Sequence, residues 1–546
     1  MKVGAIRTVL VAVAAAGLTG ASAQAAVGAE RSSFGRVEVS TIPFDARLTV
    51  RSATYTPSGK VLVSYAEDAA ADPRDVKLAV MDDDGKNMRP FFAQRLPARP
   101  KDNGLRFMVF ADNKRIFTGD YVIECAQSID ACEGPAVYPV EYPPEVAGGD
   151  HISHRWSEII VAPDNRHIAW TTLLSNFSAI VFIGELQKDG ASYKIVEPTI
   201  VSTLDPFKKD PNHPDGVLPQ PVRGGEVKQF VHGGTAISLV GAVRRDLPDS
   251  VVQQLATGAK EAVTDTPGYT ETTIFSPDER LGVTMTTRFS APTDLAVLGL
   301  MPRPYPDSLN MGLSMLAYTY SVTGVRAARS GEIGPALIDI EASKSQDGYL
   351  GANLNTQDEW VFSSPMSWHP SSTKAMWLEV RRGSREKRMQ RVRLPDYRPG
   401  ASVPAGVTPR DIPYGSSDLS VVPTYARASG DINVKVYGRK SGYISYRRTP
   451  DGVVEKTYVD FSDDGRSTYS GTERTAANPQ GRSTYTAKLK LSGPKAGVMD
   501  LKMTFGPLRG ELPAEIIFAP DSSGVPLTHG YVEYDGRRLT VDALAR

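Results

Sequence analysis

The chain carries few residues of the kinds that do chemistry. Seven histidines are spread over 546 residues, and two fall close together, His151 and His154 in AGGDHISHRWSE. With Asp150 and Glu158 beside them they have the composition of a metal or acid–base cluster. On an extended strand, positions i and i+3 face opposite ways, so the pair can share one ion only in a loop. Gly148 and Gly149 allow such a loop. A polar loop or capping role is the competing reading, and no metal or cofactor is assigned. His213 stands in DPNHPDG, inside the Pro-rich stretch 205–225. That stretch is too long for an ordinary hairpin, and Lys208, Lys209 and Arg223 within it could meet an anionic group. A plain surface excursion is the simpler account.

Standard catalytic signatures are missing. There is no GxSxG elbow, no HExxH and no GxxxxGK[ST]. Ser371-Ser372-Thr373-Lys374 matches SxxK by letter, but it precedes an alternating strand instead of opening a helix. No catalytic residue is assigned. Lys+Arg and Asp+Glu both number 62, and a balanced charge argues against a nucleic-acid partner. The basic run RRGSREKRMQRVR, 381–393, alternates along an expected strand pair. It reads as a solvated hairpin, with an anionic polymer or membrane surface as the sharper alternative.

The elements that position these residues are short strands. Forty-eight glycines and 40 prolines make the chain turn-rich. At the N-terminus, Lys2 and Arg7 precede an apolar run from Val9 to Leu18, and Ala23 and Ala25 flank Gln24 in an A-x-A pattern. That combination predicts an export signal cleaved after Ala25, giving a periplasmic or secreted protein. No later apolar run is long enough for stable membrane insertion. An oxidising compartment fits the two cysteines, Cys125 and Cys132, whose pairing would contribute roughly 2–3 kcal/mol by loop closure.

A repeat runs through the first 400 residues. Its turn appears as TPSGKVLVSY at 56, ADNKRIFTGD at 111, APDNRHIAWT at 162, SPDERLGVTM at 276 and HPSSTKAMWL at 369, with a degenerate copy, HGGTAISLVG, at 232. Residues 53–92 read as a nearly complete unit of four strands, with Asp83-Asp84-Gly85-Lys86 as a hairpin turn. Four strands per ~40–45 residues is the arithmetic of a propeller blade. APDNRHIAW and SPDERLGVTM resemble the x-P-D-G turn of TolB-like (PD40, WD40-like) propellers, and KLAVMDDDGKNMRP resembles the segment that ends those repeats. The resemblance covers about 45–396 and implies an all-β fold of six blades. The long gap before His369 leaves room for a seventh. It also implies binding of a partner or small molecule at one face of a central channel.

Six residues before each turn proline or its equivalent lies the innermost strand of a blade. Glu226, Glu271, Arg51, Ser157 and Ser364 fall at that offset, with Glu158 one residue on. Inward carboxylates could bind a cation or basic peptide, act as acid and base, or simply line a wet channel. Residues 397–424 read as a Pro/Gly/Ser-rich linker wrapped on the propeller. Residues 425–546 read as a small antiparallel β-sandwich or barrel, in which Tyr443, Tyr446, Tyr458, Tyr469 and Tyr485 serve mainly as cross-strand packing.

Together these readings describe an exported β-propeller (26–396) with a C-terminal β-domain. It would act as a binding or scaffold protein for a small molecule, glycan or envelope protein. The alternative is a propeller-based hydrolase or lyase on a carbohydrate or other exported substrate. Glu158, Glu226, Glu271, His151, His154 and Arg223 are the ligand-site candidates.

Overall fold

The computed structural model describes residues 33–97, 107–148, 151–156, 159–174, 179–202, 207–219, 225–241, 243–290, 294–305, 311–424, 431–476, 478, 480–509 and 512–545. The expected export signal lies outside them. Six blade units follow in chain order, opening with the inner strands Thr49–Tyr55, Phe107–Val109, Ile160–Val161, Val227–Val231, Thr270–Phe275 and Trp360–Trp368. Four are separate four-stranded antiparallel sheets, and the second and third are joined into one nine-stranded sheet by a parallel pairing that sets Tyr193 opposite Val140. We number these blades 1 to 6. Blade 6 takes its outermost strand from the other end of the chain: Glu38–Ile42 pairs with Lys387–Arg393, Thr41 opposite Gln390. That pairing ties the ring shut. Among the described residues, the gap before His369 holds helices and no seventh blade, and the segment between Leu281–Thr286 and Gly334–Asp339 of blade 5 is a helical insertion.

The turn after each inner strand is where the repeat is written in the backbone. Gly59, Asn113, Asn165, Glu279 and Ser372 all have positive φ at the same turn position. Each of their main-chain N–H groups donates three residues back, to Thr56, Phe110, Ala162, Ser276 and His369. Blade 4 makes the same reversal with His232 and Gly233. Gly, Asn and small polar residues tolerate that conformation, which is why the motif survives where its Pro-Asp core is lost.

Residues 397–424 travel across these turns. The Gly400 amide donates to Asp278, Val403 to Pro277, Gly406 to Gly233 and Thr408 to Asp164. Further on, Arg410 pairs with Glu185, and Ser416 exchanges main-chain hydrogen bonds with Ile200.

The C-terminal strands form one antiparallel meander of eight, from Ile432–Tyr437 to Arg537–Thr540, each paired with the next. One face alternates inward: Tyr485, Ala487, Leu489 and Leu491 on Ser483–Ser492, and Met499, Leu501 and Met503 on Gly497–Phe505. Among the described residues these strands make a single sheet. The covering layer is the blade 5 insertion, whose Leu298, Met301, Leu316 and Tyr320 join the same core. Tyr446, Tyr458 and Tyr485 are buried, and Tyr469 is half-buried against that core.

A buried ionic clamp fixes the two parts together. Arg303, fully buried on the insertion, pairs with Asp246 from blade 4 and, at 2.6 Å, with Glu473 of the sheet. The Pro-rich excursion is also structural. Its strands Phe207–Lys209 and Val217–Pro219 form a hairpin lying along the edge strand Ile432–Tyr437. Asp215 accepts from Lys435 at 2.9 Å and Tyr437 at 3.0 Å, and the His213 ring stacks on Tyr437 with centroids 4.0 Å apart. An otherwise open sheet edge is thereby covered.

Candidate ligand site at one mouth of the propeller

All six inner strands end at the repeat turns. Their beginnings therefore line the opposite mouth of the channel, together with the connections between second and third strands. Four of the inner strands break register near that end: at Val50/Ser52, Val227/Gln229, Thr270/Thr273 and Ser363/Met366. A bulge leaves a residue unpaired and re-aims its side chain. The residues so released are Arg51, Lys228, Glu271 with Thr272, and Ser364 with Pro365.

Blades 4 and 5 meet there through charge. The Lys228 ammonium is buried and donates to Glu226 Oε2 and, at 3.0 Å, to Glu271 Oε1. The Tyr269 hydroxyl donates to Glu271 Oε2 at 3.0 Å. Burial alone would raise the Glu271 pKa. Lys228, with Arg326 and the Tyr269 hydroxyl, outweighs that and holds the carboxyl below its ordinary range. The Tyr269 hydroxyl moves the other way, driven first by burial and then by the neighbouring carboxylate. The insertion roofs the cluster: Tyr318 lies 6.0 Å from the Tyr269 ring, centroid to centroid, and Arg326 Nε donates to the Phe362 carbonyl of blade 6 at 3.0 Å. Arg382 locks the end of that insertion by donating to the carbonyls of Val325, Arg329 and Gly331.

Glu226 and Glu271 are thus brought together, as their common offset suggests. Lys228, Tyr269 and Arg326 were not singled out in the sequence. Lys228 carried one signal: it is the one charged residue of the strand Val227–Val231 and stands two residues after Glu226. Arg326 had none, because the insertion reaches the mouth only through the fold. Arg51 does not join the group. Its guanidinium donates to the carbonyls of Ala71 and Asp72 in its own blade.

His151 and His154 lie at the same mouth on blade 3, with rings 5.7 Å apart. They take different partners. His154 Nε2 is 3.1 Å from Asp120 Oδ2 of blade 2, and His151 Nε2 is 3.1 Å from the Ala147 carbonyl. Arg155 Nε also approaches Asp120, at 3.5 Å. Among the described residues no group of three or more His, Cys, Asp or Glu is arranged to hold a metal ion. Glu158, Ser157 and Arg223 lie outside the described residues.

Other sequence candidates resolve into structural contacts. Cys125 and Cys132 form a disulfide. In the basic run, Arg388 pairs with the buried Glu379 at 2.6 Å, Arg391 approaches Asp83 at 3.5 Å, and Lys387 donates to the Arg51 carbonyl. Much of that charge is spent inside the ring closure. Ser371 to Lys374 form the blade 6 repeat turn, with Lys374 paired to Asp83.

No protein-family model matches the chain, and no curated protein does either. Solved structures similar in fold include TolB from Acinetobacter baumannii, at 11% identity and TM-score 0.29 over 65% of this chain and 64% of that one. Oligogalacturonate lyase from Vibrio parahaemolyticus gives 8% identity and TM-score 0.37 over 66% and 94%. Prolyl oligopeptidase B from Galerina marginata gives 10% identity and TM-score 0.31 over 75% and 55%. At these values no residue role transfers, and the propeller assignment rests on the strand order and the repeated turns.

Proposed function

We propose that this protein is an exported binding protein that holds a small molecule, glycan or envelope protein at the propeller mouth carrying Glu226, Lys228 and Glu271. The observation that supports it is the desolvated lysine clamped between carboxylates of two blades beneath the Tyr269–Tyr318 roof. Mutually paired charges of this kind are rigid, and rigid polar groups orient a ligand. Binding is favoured over hydrolysis or lyase chemistry because both Glu271 oxygens are already engaged, one by Lys228 and the other by the Tyr269 hydroxyl. Export is supported by the N-terminal pattern and by the disulfide.

The test is to incubate residues 26–546 with pooled envelope glycans, peptides and small metabolites, then score both retained and altered compounds by mass spectrometry. Retention without new products is expected. New products would replace this reading with the hydrolase or lyase one.

A further inference from the structure

An open surface hollow of about 440 Å³ lies on the turn side of blade 2, away from the mouth described above. Asp112, Lys114, Arg115, Glu124, Cys125 and Tyr138 line it, together with small residues. Its acids are already satisfied. Asp112 Oδ1 accepts the main-chain N–H groups of Lys114 at 2.8 Å and Arg115 at 3.2 Å, while Oδ2 accepts Arg115 Nε at 2.8 Å. Glu124 accepts Lys188 Nζ at 2.6 Å on one oxygen and the Tyr193 hydroxyl on the other. Arg115 is thus balanced by Asp112, and Lys188 by Glu124. Lys114 is left as the one lining cation with no acid opposite it among the described residues.

The walls are fixed. The disulfide loop is pinned by Arg89 Nη1 donating to the Cys132 carbonyl at 2.8 Å, by Asn113 Nδ2 donating to Asp130 at 2.8 Å, and by the Ile129 amide donating to Asn113 at 2.7 Å. The cavity is kept open by small residues: Ala126, Ala136 and Gly134 line it, and a Cβ at Gly134 would meet nothing within 4 Å. The Tyr138 ring forms a flat aromatic wall, with Lys188 Nζ 3.9 Å from its centroid. A preformed hollow with one uncompensated ammonium, an aromatic wall and no free acid selects for negative charge.

We propose that this cavity is a second ligand site, separate from the channel mouth, for a small anion recognised through carboxylate or phosphate oxygens by Lys114. The probes are citrate and inorganic phosphate, titrated separately by calorimetry into residues 26–546 at low ionic strength. Saturable binding of at least one is expected, and comparing the two arms assigns the headgroup. Lys114 is exposed in a turn, so Lys114→Glu should leave the melting temperature unchanged while weakening binding at least tenfold. Lys114→Gln should give an intermediate loss. Ala136→Trp, which fills the cavity, should abolish binding, whereas Glu271→Gln at the other mouth should not affect it. Wild-type protein that binds neither anion saturably overturns the proposal, and so does Lys114→Glu protein that binds as tightly as wild type.

Discussion

Replacing Asp249 by asparagine should stabilise this protein, and by an amount that grows with pH. Asp249 opens the strand Asp249–Gln254 of blade 4 and is 3% exposed. Burial, reinforced by the nearby Asp265 charge, pushes its carboxyl up to about 8, although the Thr264 hydroxyl, 2.8 Å away, and the Thr266 amide both favour the ionised form. In the unfolded chain the same group ionises near 3.8. An acid whose folded pKa exceeds its unfolded one binds its proton more tightly when folded. The folded state is therefore favoured most at low pH, and loses that advantage as pH rises from the unfolded value to the folded one. Each pH unit in that window corresponds to about 1.4 kcal/mol, so the loss reaches about 4 kcal/mol at pH 7 and is under about 2 kcal/mol at pH 5. Asparagine keeps an oxygen for both donors and has no proton to lose. The assay is the midpoint of chemical denaturation for wild type and Asp249→Asn between pH 5 and pH 8. The wild-type midpoint should fall relative to the variant across this range. Parallel curves would mean that burial does not raise the Asp249 carboxyl in the folded protein.

Other outcomes follow from the same structure. Arg303→Met removes the cation between Asp246 and Glu473 and should cost about 3–5 kcal/mol, read as an earlier thermal transition. Lys228→Met should leave Glu226 and Glu271 repelling each other. Its loss of stability should shrink as pH falls through the carboxylate range, because a carboxyl deprived of its cation titrates higher. Gly471 has φ +126°, and a Cβ there would sit 2.1 Å from the Lys488 carbonyl. Gly471→Val should therefore destabilise the C-terminal sheet by more than about 2 kcal/mol, measured by denaturant midpoint.

The propeller was legible because its turns need particular backbone conformations. Asn113, Asn165 and Gly59 are residue types that accept positive φ, and their recurrence exposed the blades. Cys125 and Cys132 were equally legible as a pair. The insertion 287–333 was not. Its Leu316, Ala317, Tyr320, Val322 and Val325 are all buried, so the helix shows no polar face and no amphipathic period to read. The docking of 207–219 on the C-terminal edge strand was hidden for a different reason. It depends on Asp215 meeting Lys435 and Tyr437 more than 200 residues away, and nothing local encodes such a contact. At the candidate site, Glu226 and Glu271 could be found from their common offset. Lys228 reaches both because a bulge re-aims it, and single bulges leave little trace in sequence.

Ligand binding at the Glu226–Lys228–Glu271 mouth is what the proposed function rests on. Its most direct test repeats the pooled-ligand retention with Glu226→Gln and Glu271→Gln proteins whose melting temperatures stay close to wild type. Loss of the retained compound in both variants, with no product formed by wild type, is the predicted result. Retention of the same compound at wild-type affinity by both variants would contradict the account.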